Sequence, residues 1–119
     1  MVLVTKNREC FLKDDIRQKV KRHIAENCKE KGILLQEING YEDHLHCLIA
    51  LGRDQTIAKV AQMIKGESSY WINKNQLVKG GFKWQDDYYA NSVSESEKRK
   101  IENYIRNQET KHQKTKNEI

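Results

Sequence analysis

The sequence contains no proline, only three cysteines and no long apolar run. The absence of proline argues against a proline-rich linker. An odd cysteine count without a C-x-x-C pair argues against a disulfide framework and gives little support to a cysteine-based zinc site. No window approaches ~18 consecutive apolar residues, so no membrane-spanning helix is predicted. The N-terminal apolar stretch is too short for a signal peptide. We therefore expect a cytoplasmic protein with free thiols at Cys10, Cys28 and Cys47.

Charge, in contrast, is abundant. Charged residues make up 33% of the 119-residue chain, and 22 Lys+Arg against 17 Asp+Glu give a formal net charge of +5. At ~150 residues per domain, this length corresponds to one domain, which can bury a core without disulfides. We expect the domain to span residues 1–112, followed by a polar, disordered tail at 113–119. The basic balance permits nucleic-acid partners without identifying one.

Apolar patterns along the chain predict an α+β fold. Short apolar or aromatic runs predict strands at residues 2–5, 33–38, 45–51 and, around an acidic interruption, 82–90. Periodic apolar residues predict helices between the first and second strands, after the third strand and after the fourth. The order βαββαβ indicates a ferredoxin-like, four-stranded antiparallel sheet with helices on one face, plus a C-terminal helix that carries Tyr104.

Local signals mark where these elements begin and turn. Asp14 or Asp15 is expected to cap the first helix, and Thr56 the second. Ser94 opens an S-x-x-E capping box, which predicts the start of the last helix. Residues 39–40, Asn-Gly, are typical of a hairpin turn and are expected to join the second and third strands.

Two histidines, His44 and His46, alternate along the third predicted strand. Side chains at i and i+2 of a strand project from one face, so these imidazoles can share a metal ion. Neutral imidazole is a common metal ligand, and the preceding Asp43 can orient one ring. The alternative is two half-exposed polar residues on a sheet face, because an H-x-H pattern has little specificity. Leu48 stands where a third alternate histidine would lie, which disfavours a histidine-triad hydrolase.

Tyr104 and Gln108 are four residues apart in the last predicted helix and share one of its faces. A tyrosine hydroxyl needs a base or a metal-polarised electrophile in order to attack. The amide oxygen of Gln108 is a hard ligand suited to Mg²⁺ or Mn²⁺. The alternative for Tyr104 is a ring packed on the sheet. His112 extends the same row, but so near the tail it is expected to be exposed and outside the site.

Together the two features predict a neutral three-ligand metal site made of His44, His46 and Gln108. Such a set leaves coordination positions open for water and for the oxygens of a phosphodiester. Tyr104, one helical turn from Gln108, then lies beside that phosphate.

The segments that carry these residues are similar to those of a known family. Residues 42–49, EDHLHCLI, resemble the histidine–hydrophobic–histidine strand of the HUH superfamily of single-strand DNA nicking enzymes. Residues 104–109, YIRNQE, resemble the tyrosine helix of its small single-tyrosine transposases, the IS200-like family. Other similar segments follow in family order at 4–9, 65–69 and 84–94. Members often have proline where this chain has Glu42, a departure in the turn and not in the ligands.

The resemblance implies a transposase that cleaves and rejoins single-stranded DNA at insertion-sequence ends. His44, His46 and Gln108 would bind Mg²⁺ or Mn²⁺, a Lewis acid for the reaction. Tyr104 would attack the scissile phosphate, form a 5′-phosphotyrosine link and free a 3′-hydroxyl. The resemblance also implies DNA hairpins near the element's ends and a homodimer, in which the tyrosine helix serves its own or the partner's histidines.

Basic side chains along the chain are candidates for phosphate contacts, although a solvated charged face is the ordinary alternative. Those expected to bind DNA are Lys6, Arg8, Lys65, Lys83 and Arg106. Aromatic residues can stack on unpaired bases, but in a chain of this size most are expected to lie in the core.

Three other functions fit part of the pattern. A replication-initiator or relaxase nickase of the same superfamily shares the histidines and the tyrosine but usually has a longer chain and additional ligands. A repeat-associated relative kept by its host would act on repeats scattered through a genome. A non-catalytic hairpin-binding module would keep the basic surface without needing the ligand set or Tyr104.

Overall fold

Three strands and four helices make up the regular structure of the described residues. The computed structural model describes residues 1–117, with side chains described for residues 1–112. The strands are β1 (Val2–Val4), β2 (Leu34–Tyr41) and β3 (His44–Ala50). The helices are α1 (Asp14–Glu30), α2 (Ile57–Lys74), α3 (Lys98–Arg106) and α4 (Gln108–Asn117). Side chains 113–119 of the predicted tail, and all of residues 118–119, lie outside the described part, so its disorder stays a prediction.

The sheet is antiparallel, with strand order β1-β3-β2, so β3 lies in the centre. The register pairs Leu3 with Leu45 and Val4 with His44. Because side chains alternate between faces, Leu3 and Leu45 share one face while His44 and His46 project from the other. Leu3 and Leu45 are fully buried in the core. The apolar run that predicted a central strand is therefore confirmed in β3.

The expected fourth strand does not form as a regular strand among the described residues. The segment that follows Gly81 lies along the free edge of β1 but makes only isolated bridges, Val2 to Tyr89 and Thr5 to Trp84. Residues 85–87, Gln-Asp-Asp, interrupt the pairing between those bridges. Aspartate is poorly suited to strands because its short side chain competes for backbone hydrogen bonds. The four-stranded prediction is thus corrected to a three-stranded sheet with an irregularly covered edge.

Of the three helix starts predicted from capping residues, one is confirmed. Thr56 caps α2, since its hydroxyl accepts a hydrogen bond from the Lys59 amide at 3.2 Å. At α1 the capping position is Lys13. Both aspartates lie inside the first turn, where their negative charges interact favourably with the helix dipole. The hydroxyl of Ser94 bonds the Glu97 side chain instead of a backbone amide, and α3 begins only at Lys98.

The hairpin turn lies three residues beyond its predicted place. Asn39 and Gly40 are paired within β2, opposite His46 and Leu45, and the turn is made by residues 42–43. This shift matters for function, because it places Asn39 on the histidine face of the sheet.

Helices α1 and α2 cover the face opposite the histidines. Their buried apolar residues, Val20, Ile24 and Cys28 of α1 and Val60, Ile64 and Ile72 of α2, join the sheet residues in one core cluster. Cys10, Cys28 and Cys47 are free thiols, as the sequence predicts. Among the described residues no helix combines the length and the apolar character needed to cross a bilayer.

Gly40 is required by the close approach of the two hairpin strands. A Cβ built there would lie 2.8 Å from the Leu45 Cα and still closer to the carbonyl oxygen of His44. We expect Gly40→Ala to lower the free energy of unfolding by about 2 kcal/mol or more, since backbone must shift to admit the methyl group. Chemical denaturation measures this effect.

Gly66, in the middle of α2, provides the matched control. A Cβ there meets no atom within 4 Å, so Gly66→Ala adds only helix propensity. We expect it to raise the free energy of unfolding by about 0.5–1 kcal/mol. Equal effects of the two substitutions would contradict the close approach at Gly40.

Candidate active site

The centre of β3 presents the two histidines. His44 lies opposite Tyr41 of β2, and His46 lies opposite Asn39. His44 is nearly buried, at 9% exposure, and the two rings contact edge to face with centroids 5.1 Å apart. A central strand fixes both backbones through hydrogen bonds on each side, so the rings have a rigid base.

Asp43 orients His44. Its Oδ1 lies 2.8 Å from His44 Nδ1, and its Oδ2 accepts from Arg8 Nη1 at 3.1 Å. Thr5 holds the backbone of Asp43, since the Asp43 carbonyl accepts from both the amide and the hydroxyl of Thr5. Asn7 and Arg8 have φ of 57° and 53°, a left-handed conformation that non-glycine residues rarely adopt. This strained turn aims Arg8 at Asp43.

The sequence predicted Tyr104 and Gln108 in one helix, but Asn107 separates α3, which carries Tyr104, from α4, which begins at Gln108. These two helices bring both residues to the histidines. Gln108, 1% exposed, places its Oε1 3.3 Å from His44 Nε2, while its Nε2 donates to the Tyr104 carbonyl at 3.2 Å. The Tyr104 ring lies edge to face with His46, with centroids 5.6 Å apart, and its side chain is 44% exposed. The four residues predicted as nucleophile and ligands therefore converge within one chain.

This donor set fits a divalent cation. The described residues hold no cluster of three or more His, Cys, Asp or Glu side chains suited to a metal, but here one donor is an amide oxygen. In a neutral His44 ring the proton lies on Nδ1, against Asp43, which leaves the Nε2 lone pair facing Gln108 Oε1. Two facing acceptors are unfavourable unless a cation or a second proton lies between them. Nitrogen and hard oxygen donors suit Mn²⁺ or Mg²⁺.

Burial controls protonation at the site. Burial, with a smaller electrostatic contribution from neighbouring groups, lowers the pKa of His46 to about 4, so at neutral pH the ring is neutral and one of its nitrogens has a free lone pair. For Asp43, burial alone would raise the pKa, but the hydrogen bonds and charges of His44 and Arg8 outweigh it, and the pKa is lowered. Asp43 is therefore an ionised partner for His44.

His112 belongs to this cluster, contrary to the expectation that it would lie outside the site. Its Nε2 lies 3.1 Å from Gln108 Oε1, and its ring is 5.0 Å from that of His44. It also stacks on Tyr41, with centroids 5.1 Å apart. The four-residue spacing from Gln108 was the sequence signal. The sequence could not show that Tyr41 holds the ring in place.

A groove of about 650 Å³ opens beside the site. Its walls include Ile49 of β3, Val93 of the loop before α3 and Ile101 of α3, and both His46 and Tyr104 line it. The groove therefore gives a ligand a path to Tyr104 and His46.

Two of the residues predicted to bind DNA, Lys6 and Lys83, lie side by side. The Lys6 amide donates to the Lys83 carbonyl at 3.0 Å, and both side chains are exposed. They form a small basic surface on the edge where the 82–90 segment covers β1.

The other three predicted contacts are engaged within the protein. Arg8 pairs with Asp43, as above, and the Lys65 ammonium donates to the Asp86 carbonyl. Arg106 pairs with Glu37 at 2.8 Å and is 60% exposed. Their role in DNA binding stays a prediction, since each would have to share its charge with a partner already present.

The aromatic residues follow the core expectation in part: Phe82 and Trp84 are buried, and Phe11, Trp71 and Tyr88 pack partly buried against the core. Trp84 is 3% exposed, and its indole donates to the Ser68 hydroxyl at 2.9 Å, so it has no free face for a base. Tyr70 and Tyr89 are exposed at 63% and 59%.

Asp43→Asn tests the orienting role of the carboxylate. We expect a 10–100-fold loss of Mn²⁺ affinity, about the usual cost of losing an outer-shell carboxylate. The amide keeps the size of the side chain but accepts only through one oxygen. Isothermal titration with Mn²⁺ measures the change, and Asp54→Asn, on an exposed loop, is the control. Unchanged affinity in Asp43→Asn would contradict the orienting role.

Comparisons with known proteins identify the family of the chain. A family model described as "Transposase IS200 like" matches residues 1–108. A crystal structure of a protein from Deinococcus radiodurans R1, assigned as a transposase, is similar with a TM-score of 0.71 and 25% sequence identity. That match covers 91% of this chain and 87% of the other. No curated protein sequence gives a significant match. Because the family model covers most of the chain, including β3, Tyr104 and Gln108, this protein belongs to the IS200-like transposase family.

Proposed function

We propose that this transposase cleaves and rejoins single-stranded DNA through a 5′-phosphotyrosine intermediate formed by Tyr104. The observation that carries the proposal is the convergence of Tyr104 and Gln108 on the two β3 histidines, with Gln108 Oε1 3.3 Å from His44 Nε2. Attack of the Tyr104 hydroxyl on the scissile phosphorus forms the Tyr–O–P bond and breaks the P–O3′ bond. The tyrosine proton is lost and the leaving 3′-oxygen gains one, so a free 3′-hydroxyl results.

His44, His46 and Gln108 would hold Mg²⁺ or Mn²⁺. The ion would supply Lewis-acid polarisation of the phosphoryl oxygens. The residues of the chain do the rest: Asp43 keeps His44 in the tautomer that exposes Nε2, burial keeps His46 neutral, and the groove beside Tyr104 accepts the strand. Rejoining needs no further energy source, because the covalent link conserves the phosphodiester energy.

We further propose that the substrate carries hairpins at the insertion-sequence ends, that the working form is a homodimer, and that the reaction takes place in the cytoplasm. The exposed pair Lys6 and Lys83 supports a contact with DNA phosphates near the site. Within this chain Tyr104 already lies against its own His46, which supports catalysis by a site from a single chain.

A covalent-adduct assay tests the function. The protein is incubated with single-stranded DNA from each strand of its gene's own flanks, with Mg²⁺, with Mn²⁺ or with EDTA. We expect a protein–DNA band in denaturing gels that depends on the metal, and peptide mass spectrometry should place the nucleotide on Tyr104. Hairpin binding without any adduct would instead support the non-catalytic binding module. Adducts with interspersed repeats, and not with the gene's flanks, would support the repeat-associated relative.

A further inference from the structure

Helix α4 is docked without apolar side chains. Its ten residues, Gln108–Asn117, read QETKHQKTKN, so the helix has no apolar face to bury. Yet Gln108 is 1% exposed and touches His44. By contrast, α3 inserts Ile105 into the protein at 4% exposure. The contacts that hold α4 must therefore be polar.

Arg17 of α1 makes the central polar contact. Its side chain is 1% exposed, and its Nη2 donates to Glu109 Oε2 at 2.9 Å. The same guanidinium donates to the Leu12 carbonyl at 2.8 Å and to Asp14 at 2.7 Å. A buried cation is costly unless it is paired, and Asp14 is 88% exposed. Glu109, at 30% exposure, is thus the more shielded of its two carboxylate partners.

Neighbouring groups extend this contact on both sides of Glu109. Its carboxylate also accepts from Gln18 at 3.2 Å and from Lys21 at 3.4 Å. The Arg17 guanidinium lies 5.2 Å from the centroid of the Tyr41 ring, which itself stacks on His112. Glu109 and His112 follow Gln108 by one and four residues on α4, so the contacts made by α1 and Tyr41 hold the first turn of the helix that begins at the proposed ligand.

We propose that Arg17 is a positioning residue, which seats α4 through its ion pair with Glu109 and so delivers Gln108 to His44. The inference rests on the proposed function in so far as Gln108 holds the metal ion. Loss of the pair releases α4 while Ile105 keeps α3 in place. Tyr104 then stays beside His46, but the ligand set loses its amide oxygen.

Glu109→Gln is the principal test, because it removes the charge and keeps the shape of the side chain. Two readouts are needed: Mn²⁺ affinity by electron paramagnetic resonance, and hydrogen exchange of the peptide that covers residues 106–112. We expect a tenfold or greater loss of Mn²⁺ affinity and faster exchange of that peptide, with β3 exchange unchanged. Glu102→Gln is the matched control, since among the side chains that the structure describes Glu102 forms an ion pair only with Arg106 of its own helix, at 4.0 Å.

A double-mutant cycle with Arg17→Met separates the pair from general destabilisation. If the two residues act as one unit, the peptide that covers residues 106–112 should exchange no faster in the double variant than in Glu109→Gln alone. Additive effects would overturn the proposal. So would unchanged exchange in Glu109→Gln, or faster exchange with unchanged Mn²⁺ affinity. If the parent protein binds no Mn²⁺, the metal part of the proposed function fails, and the exchange data still decide whether Arg17 seats α4.

Discussion

Tyr104→Phe should form no covalent adduct with single-stranded DNA and should lower strand cleavage by at least about four orders of magnitude, as expected when the nucleophile of a covalent mechanism is removed. The substitution deletes only the hydroxyl. The ring can keep its edge-to-face contact with His46 and its place 4.7 Å from the Lys111 ammonium. DNA binding, measured by fluorescence anisotropy, should therefore change less than threefold, or about 0.6 kcal/mol.

Tyr70→Phe is the control for this result. Tyr70 is 63% exposed on α2, more exposed than Tyr104 at 44%, but it is no part of the histidine cluster. We expect its adduct yield to equal that of the parent. An adduct of normal yield in Tyr104→Phe would show that another tyrosine attacks. Exposed Tyr89, which lines the groove, would then be the next residue to replace.

His44→Ala should lower both Mn²⁺ affinity and the rate of adduct formation by about a thousandfold, because a Lewis acid contributes several kcal/mol to phosphoryl transfer. The His44 ring contacts all three of the other residues: Asp43, Gln108 and His46. Its removal deletes one ligand and leaves Gln108 Oε1 without its β3 partner. Isothermal titration and single-turnover adduct formation measure the two effects.

His23→Ala controls for the loss of a partly buried histidine. His23 bonds Glu67 at 2.7 Å and stacks on Trp71 at 4.0 Å, on the α1–α2 side of the sheet. We expect it to reduce stability without changing Mn²⁺ affinity. Parent-level metal affinity in His44→Ala, once both variants are shown to be folded, would refute a role for His44 as a ligand.

Each of the two pairs of site residues could be predicted from local spacing. Alternation along β3 places His44 and His46 on one face, and the four-residue interval places Tyr104 near Gln108. These are short-range relations, which sequence periodicity reports directly, whereas nothing in local spacing brings β3 to the C-terminal helices. The same reasoning found β3 and the Thr56 cap of α2.

Other features depend on partners distant in sequence. Nothing near Arg17 indicates a guanidinium buried against Glu109, which is 92 residues away. The hairpin turn differs from its predicted position because Gly40 lies within a strand, where it allows the close approach of the next strand. The aromatic pattern at 82–90 predicts a strand, but this segment covers the edge of β1 through isolated bridges without forming a regular strand. In each case tertiary contact overrode a local preference.

The pairing of β1 also dictates the order in which the site can be completed during synthesis. Val2 and Thr5 are synthesised before their partners, since Val2 pairs with His46 and bridges to Tyr89, and Thr5 bridges to Trp84. Such long-range closure is slow compared with helix formation. A nascent chain of about 100 residues would present both histidines in a sheet, without the hydroxyl or the amide that completes the ligand set. The proposed DNA chemistry therefore requires that Tyr104 and Gln108 have been synthesised and have folded onto β3.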